Sequence, residues 1–246
     1  MDSPSPFLVI PHTRESRWRL IEEVIAQWYP AGSGQAVPSG NAPPSPPETH
    51  CAGLQEWYAF VRRQPGIWCR QDSLFCCHFY ERNKDYLIIG VENQACALWG
   101  VRRDELSFVD PPVYLDPAAN GCWLLESPTV SEFAVTWLAA SIKWSDHNRC
   151  WANGPASESA LQIVTSHYSR LGLADWHCPQ FPTRFYGTTD LLLEIHCEAN
   201  DKWFWLATRT EEAFRQFLSR TADEVEWEAS SDEWPAGWVS SSHDAG

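Results

Sequence analysis

The chain has 246 residues, of which 44% are apolar, so it can bury one large core or two small ones. Its formal net charge of −14 excludes a protein that tracks nucleic-acid phosphates, and it suits a soluble protein with a basic partner. Nine cysteines without a Cys-x-x-Cys pair, and no signal segment at the N-terminus, predict reduced, mostly buried thiols in a cytoplasmic protein. No apolar run is long enough for a membrane helix.

Two amphipathic helices are predicted before the first strand. The first spans residues 12–29, and its apolar face is formed by Trp18, Ile21, Val24, Ile25 and Trp28. The second spans residues 49–63 and ends before Pro65-Gly66; its apolar face is formed by Leu54, Trp57, Tyr58 and Val61. Between them, residues 30–47 contain six prolines and three glycines, which predicts a flexible linker.

Short apolar runs rich in β-branched and aromatic residues predict strands in the centre of the chain. A short strand within residues 71–80 is followed by a hairpin, whose strands are Tyr86–Val91 and Ala95–Val101 and whose turn is the polar step 92–94. A further strand is predicted over residues 121–126.

Two motifs in this region predict where elements begin or end. Pro111 and Pro112 cannot donate backbone hydrogen bonds, so we expect them to stop the strand pairing. Thr129-Val130-Ser131-Glu132 matches a capping box, which predicts a helix running to about Trp144. Its inward side chains are Phe133, Trp137 and Ala140.

The C-terminal part has its own helices and strands. Residues 145–154 are predicted to be irregular and residues 157–171 to be a helix, whose stripe is Leu161, Val164, Tyr168 and Leu171. Three strands follow, at 185–186, 191–197 and 203–208, and then a helix over 210–220 with Ala213, Phe214, Phe217 and Leu218 inward. From Thr221 onward the chain has seven acidic residues and no Lys or Arg, which predicts disorder, with Trp227, Trp234 and Trp238 as candidates for docking.

This order of elements predicts an α+β fold with four segments. Residues 1–47 are a helix and linker, residues 48–154 the main domain, residues 155–220 a smaller α+β extension packed on it, and residues 221–246 an acidic tail.

The hairpin region resembles the SMI1/KNR4 (SUKH) superfamily. The resemblance is carried by Glu92-Asn93-Gln94, Trp99-Gly100 and Asp110-Pro111-Pro112-Val113-Tyr114, in that order and spacing. It extends over about residues 50–144, with Leu54–Tyr58, Arg70–Asp72 and Ser131–Phe133 also in agreement. Residues 176–218 look like the C-terminal extension of bacterial members, including Arg184–Gly187 and Asp190–Leu192.

The resemblance implies a twisted antiparallel sheet packed by helices, in which Trp99, Pro111, Pro112 and Tyr114 are structural motif residues. It also implies a binding protein: bacterial members are often immunity proteins that neutralise a polymorphic toxin, and fungal members are regulatory scaffolds. One residue departs from the pattern, since Ala95 stands where the family commonly has glycine. If the family turn needs a positive φ there, the alanine is strained by roughly 1 kcal/mol, so either the turn differs or Ala95 already lies in the strand.

The candidate partner-binding residues are polar or acidic and flank the hairpin. They are Glu92, Asn93, Gln94, Asp104, Glu105 and Asp110. The expected partner is a protein, such as a basic toxin domain, and the expected state is a monomer or weak dimer. The alternative interpretation is structural: Asn93 and Gln94 bond the backbone of the hairpin, and Asp110 accepts local N–H bonds. A regulatory scaffold that docks through its proline-rich segment and tail is the alternative function.

Metal binding and catalysis have little support in the sequence. Cys76-Cys77-His78, His147-x-x-Cys150, His177-Cys178 and His196-Cys197 are candidates for zinc ligands, but adjacent strand residues point to opposite faces and no two-residue Cys spacing occurs. A Cys150–His147 pair is common by chance, and no hydrolase or nucleotide-binding motif is present. We therefore predict no metal, no cofactor and no enzymatic activity, with an enzyme of unrecognised site as the third hypothesis.

Overall fold

The computed structural model describes most of the chain: residues 4–29, 51–68, 83–144, 150–178, 182–197 and 202–221, with Glu224, Val225 and Trp227. These residues form six α-helices and two antiparallel sheets, so the predicted α+β class is confirmed. The chain divides into two compact units. The N-terminal unit comprises Ile10–His147 and Trp176–Gln180, and the C-terminal unit comprises Met1–Val9, Asn148–Asp175 and Phe181–Gly246. The predicted linker (30–47) and the predicted strand within 71–80 lie outside the described residues.

The N-terminal unit contains four helices. They are α1 (Arg14–Trp28), α2 (Ala52–Arg63), α3 (Pro65–Trp68) and α4 (Val130–Ile142). The apolar faces predicted for α1 and α2 are buried. Helix α3 was not predicted. It begins at Pro65, because the fixed φ of proline suits the first position of a helix.

Helix α4 lies at the centre of this unit. It begins as predicted, since the Thr129 hydroxyl accepts a hydrogen bond from the backbone N–H of Glu132 at 3.1 Å, and it ends at Ile142, two residues before Trp144. Nearly all of its residues are buried, although Ala140 is only half-buried. Its aromatic side chains Phe133 and Trp137 pack with rings of the same unit, namely Trp57, Trp99 and Trp176.

The four-stranded sheet of this unit has the order β1-β2-β3-β4. Its strands are β1 (Tyr86–Val91), β2 (Leu98–Arg102), β3 (Val113–Asp116) and β4 (Leu124–Ser127). Strand β1 matches its prediction, but β2 begins three residues later than predicted because the chain is still turning at Ala95. The prediction that Pro111 and Pro112 stop the pairing is wrong, since β3 starts directly after them and pairs with both neighbours.

Ala95 adopts a left-handed conformation in the β1–β2 turn, with φ of 59°. Its N–H donates to the Glu92 carbonyl at 2.7 Å, and the Glu92 N–H donates to the Ala97 carbonyl at 3.0 Å. Ala95 therefore lies in the turn and not in the strand, and it has the positive φ that both predicted alternatives avoid.

Replacing Ala95 with glycine is expected to raise the free energy of unfolding by about 0.5 to 1 kcal/mol. Relief of the left-handed alanine, roughly 1 to 2 kcal/mol, exceeds the larger entropy that glycine has in the unfolded chain. Urea denaturation measures the change. The matched control is Ala59→Gly on the exposed side of α2, which should lose about 1 kcal/mol because glycine is a poor helix former. A loss in both variants would contradict the assigned strain.

The C-terminal unit is built on a five-stranded sheet of order β5-β9-β8-β7-β6. Its elements are β5 (Cys150–Ala156), α5 (Glu158–His167), β6 (Ser169–Arg170), β7 (Thr183–Gly187), β8 (Leu191–Cys197), β9 (Lys202–Thr208) and α6 (Glu211–Thr221). The last three predicted strands and the last helix correspond to β7, β8, β9 and α6. Two predictions are wrong: residues 150–154 are a strand, and α5 ends at His167 because the chain turns extended into β6.

Both ends of the described chain pack onto the C-terminal unit. Phe7 is 1% exposed, and its carbonyl accepts a hydrogen bond from Gly172 N–H at 2.9 Å. Trp227 is 8% exposed and packs edge-on against Phe217 at 5.6 Å between ring centroids. Trp227 thus docks onto its own chain, whereas Trp234 and Trp238 lie outside the described residues. The predicted boundary between residues 154 and 155 falls inside β5.

The cysteines in the described part of the chain lie in varied surroundings. Cys51 and Cys150 are buried, but Cys96 and Cys122 are exposed, so the prediction of mostly buried thiols does not hold for these two. None of the helices described here combines the length and the apolar character that a bilayer crossing requires.

Candidate protein-binding surface

The predicted binding residues lie at opposite ends of β2. Glu92, Asn93 and Gln94 belong to the turn before it, and Asp104 and Glu105 belong to a short 3-10 helix, Arg103–Glu105, directly after it. A five-residue strand is about 15 Å long. The six candidates therefore do not form one compact site, and each end of the sheet has to be considered separately.

The turn between β1 and β2 uses its acidic side chain internally. One carboxylate oxygen of Glu92 accepts hydrogen bonds from the Gln94 N–H at 2.8 Å and from the Cys96 thiol at 3.0 Å. Asn93 and Gln94 are exposed. The Glu92 carboxylate thus holds the turn together, which agrees with a structural role for this step.

Asp110 is also engaged within the fold. Its carboxylate accepts hydrogen bonds from the Ser131 backbone N–H at 3.0 Å and from the Ser131 hydroxyl at 2.5 Å. Its side chain is 13% exposed and lies 3.9 Å from the guanidinium of Arg17. The bonds are long-range rather than local, because Asp110 closes the first turn of α4 from 21 residues away.

Arg17 connects α1 to this corner. Its guanidinium donates to the Ser131 and Thr129 hydroxyls at 3.1 and 3.3 Å and to the Pro11 carbonyl at 2.9 Å, and it pairs with Glu132. Its side chain is 9% exposed. We call Arg17, Asp110, Thr129, Ser131 and Glu132 the Arg17 network.

The residue before Asp110 is fixed by the start of α2. The Val109 carbonyl accepts hydrogen bonds from the Gly53 N–H at 2.8 Å and from the Cys51 thiol at 3.6 Å. Burial raises the pKa of the Cys51 thiol, so it keeps the proton that it donates. A Cβ on Gly53 would stand 2.5 Å from the Asp110 carboxylate, so this close approach requires glycine.

The loop between the 3-10 helix and Asp110 presents apolar side chains to solvent. Phe108 is 54% exposed and Val109 is 63% exposed. The Phe108 N–H donates to the Glu105 carbonyl at 2.9 Å, so this backbone is fixed at both ends. Phe108 and Val109 were not among the predicted binding residues. The available signal was an apolar pair inside an otherwise charged connection.

The carboxylates beside this loop differ in exposure. The Asp104 side chain is 66% exposed and pairs with Arg102 at 2.6 Å. Glu105 is half-buried and accepts a hydrogen bond from the Tyr114 hydroxyl at 3.1 Å. We call Asp104, Glu105, Phe108 and Val109 the acidic loop surface. It places two exposed apolar side chains beside carboxylates on a fixed backbone.

The four predicted motif residues lie in or next to the sheet. Trp99 is fully buried and packs against Trp137 at 4.9 Å and Trp176 at 5.5 Å between ring centroids. Pro111 is buried and Pro112 is half-buried at the entry to β3, and Tyr114 is half-buried on that strand.

The candidates for metal binding and catalysis do not converge where the structure describes them. Residues 76–78 and His147 lie outside the described residues, and Cys150 is buried in the apolar core of the C-terminal unit. The backbone N–H of His177 donates to the Glu126 carboxylate at 3.1 Å, and the ring Nδ1 of His177 lies 3.0 Å from the other oxygen of that carboxylate. Cys197 packs against that core, whereas His196 contacts Glu194 at 3.5 Å. Within the described ranges, no three His, Cys, Asp or Glu side chains group as metal ligands would.

Comparison with known proteins adds no relative. No protein-family model, curated protein or solved structure matches this chain. The resemblance to the SMI1/KNR4 superfamily accordingly stays a prediction that depends on the motif residues of the hairpin region.

Proposed function

We propose that this chain is a non-catalytic binding protein that neutralises a cognate toxin domain by direct contact. The observation that carries the proposal is the acidic loop surface, where Phe108 and Val109 are held in solvent by a loop fixed at both ends. The family resemblance of the hairpin region supplies the toxin as the expected partner.

The physics of protein interfaces supports this surface as the contact. A few aromatic and apolar anchors carry most of the binding free energy, and a loop that is already ordered loses little entropy when it binds. Asp104 and the overall charge of −14 favour a basic partner, because charge complementarity speeds encounter and rejects acidic proteins.

Co-expression with the product of the neighbouring gene tests the function. We expect this chain to restore growth of cells that produce that protein, and calorimetry on the purified pair to show a direct complex. Absence of both growth protection and complex formation would overturn the proposal.

Substitutions in the loop test the surface. Phe108→Ala is expected to weaken the complex about 30-fold, which corresponds to roughly 2 kcal/mol for an interface anchor. Val109→Ser should weaken it less, and the matched control Val9→Ser, at a site 71% exposed, should leave the affinity unchanged. Equal affinities of Phe108→Ala and Val9→Ser for the partner would show that the partner contacts a different surface.

A deletion separates this function from a regulatory scaffold that binds through its tail. The deletion should remove residues 228–246 and keep Trp227, because Trp227 packs against Phe217 in the C-terminal unit. Toxin protection by the shortened chain would favour neutralisation through the body of the protein. Loss of all partner binding would favour the scaffold.

A further inference from the structure

The outer face of the four-stranded sheet carries a cluster of half-buried aromatic rings. Tyr86 and Trp123 stack with centroids 4.0 Å apart and an angle of 12° between their planes, and Tyr114 meets Tyr86 edge-on at 5.6 Å. Tyr86 and Trp123 rest on the buried side chains Ile88, Val91 and Leu98. We call Tyr86, Tyr114 and Trp123 the aromatic face.

Glycine at position 100 makes room for this stack. A Cβ on Gly100 would stand 3.2 Å from two atoms of the Trp123 ring and 3.2 Å from the Leu87 carbonyl oxygen. Gly100 pairs with Ile88 on one side and with Tyr114 on the other, so it lies in the middle of the sheet. The missing side chain lets the Trp123 ring approach the sheet closely beside Tyr86.

Acidic side chains lie around the aromatic face. Asp85 and Asp104 are exposed, Glu105 accepts a hydrogen bond from the Tyr114 hydroxyl, and the Arg102 guanidinium pairs with Asp104. Burial raises the pKa of Tyr86. Arg102 opposes this rise, while Glu105, Asp85 and Asp104 add to it.

Glu105 has an acceptor that the described part of the fold does not use. Its Oε1 accepts from Tyr114, while its Oε2 is buried and has no hydrogen-bond partner among the described residues. A buried carboxylate oxygen without a donor costs free energy.

We propose that the aromatic face and Glu105 receive an arginine side chain from a basic protein partner. A guanidinium is flat and can stack on the Tyr86–Trp123 pair, while its positive charge faces the carboxylates of Asp85, Asp104 and Glu105. These carboxylates disfavour an anionic occupant. The inference rests on the proposed function only in taking the partner to be a protein, and it specifies that partner's chemistry.

Titration of the full-length protein with the peptide hexa-arginine amide tests the site. Calorimetry measures the affinity, and the indole N–H resonance of Trp123 reports whether binding occurs at the aromatic face. We expect Glu105→Gln and Trp123→Leu each to weaken hexa-arginine binding at least fivefold. Glu105→Gln keeps an acceptor for Tyr114, so it serves as the test if Trp123→Leu does not fold.

Two matched controls measure nonspecific attraction to an acidic protein. Glu23→Gln removes the same charge from an exposed position of α1, and Trp151→Leu removes a half-buried indole from β5. Both should bind hexa-arginine as the unmodified protein does. Equal losses of hexa-arginine affinity in Glu105→Gln and Glu23→Gln would overturn the site. If hexa-lysine amide binds the unmodified protein as tightly as hexa-arginine amide or more tightly, the preference for guanidinium is wrong.

The outcome is separable from that of the proposed function. Phe108→Ala should bind the toxin domain about 30-fold more weakly and should bind hexa-arginine as the unmodified protein does. If hexa-arginine fails to bind while the neighbouring gene product binds, the arginine site is wrong and neutralisation stands. If the peptide binds at Trp123 and the neighbouring gene product does not, the proposed function fails and the site remains.

Discussion

Replacing Trp57 with alanine is expected to lower the free energy of unfolding of the N-terminal unit by about 4 kcal/mol. Trp57 is fully buried on α2, and its ring packs edge-on against Trp68 at 5.0 Å, Phe133 at 5.6 Å and Trp137 at 6.1 Å between centroids. Alanine removes these aromatic contacts and leaves a cavity that rigid rings from several elements cannot fill.

Two further variants test whether the loss of stability comes from the cavity that alanine leaves. Trp57→Phe keeps a ring in the site and removes an indole N–H that is buried without a hydrogen-bond partner among the described residues, so it should lose less than half as much stability. Trp151→Ala, at a half-buried position of the C-terminal unit, is the exposure control. The two units need not unfold together, so urea denaturation alone does not assign the loss to one of them. Hydrogen exchange of the α4 amides should therefore be measured as well, because it reports the stability of the N-terminal unit. Equal losses of unfolding free energy in Trp57→Ala and Trp151→Ala would contradict the predicted importance of the Trp57 ring contacts.

Amphipathic helices were predictable because one face of each carries the apolar residues. In α1, Trp18, Ile21, Val24 and Ile25 recur at helical spacing, and all are buried. The spacing reports the period of a helix and not its end. For α5 the same pattern continued through Tyr168 and Leu171, and both are buried, but on extended chain beyond the last helical residue. A correct prediction that residues are buried therefore does not determine whether they lie in a helix or on extended chain.

Two of the strands that were not predicted contain, or directly follow, residues typical of turns. Strand β5 contains Asn153, Gly154 and Pro155, which predict an irregular segment. It lies at the edge of its sheet, where a proline can be accommodated because its missing N–H need not serve a second neighbour. Strand β3 follows two prolines directly, and only its pairing with β2 and β4 defines it. Position in a sheet is a tertiary property that local composition does not contain.

The candidate site was predictable in its charges and not in its geometry. Asp104 is a solvent-facing carboxylate, as a partner-binding residue would need to be. Asp110 has the same chemistry and a different role, because its partners Ser131 and Arg17 are distant in sequence. Phe108 becomes a candidate only once its exposure is known, since apolar residues in a connection are otherwise expected to be covered.

Replacing Arg17 with alanine is expected to lower the free energy of unfolding of the N-terminal unit by about 3 kcal/mol, since it breaks a buried ionic network from one side. The guanidinium donates to Pro11, Thr129 and Ser131, and it is the cation paired with Glu132. Urea denaturation at low and high salt measures the loss, which should persist in salt because the group is shielded from solvent. Arg19→Ala, on the exposed side of α1, should change stability by less than about 0.5 kcal/mol.

A double substitution identifies the origin of that loss. Without Arg17, Glu132 keeps a partly buried charge that has lost its cation, so Arg17→Ala combined with Glu132→Gln should be more stable than Arg17→Ala alone. If the losses of unfolding free energy in the two single variants simply add in the double variant, the loss in Arg17→Ala comes from lost packing instead. Because Asp110 also faces Arg17 and fixes the loop that bears Phe108, the single variant should bind its partner more weakly even under conditions where it stays folded. Unchanged affinity in a folded Arg17→Ala protein would show that the loop does not need this network to hold Phe108 in place.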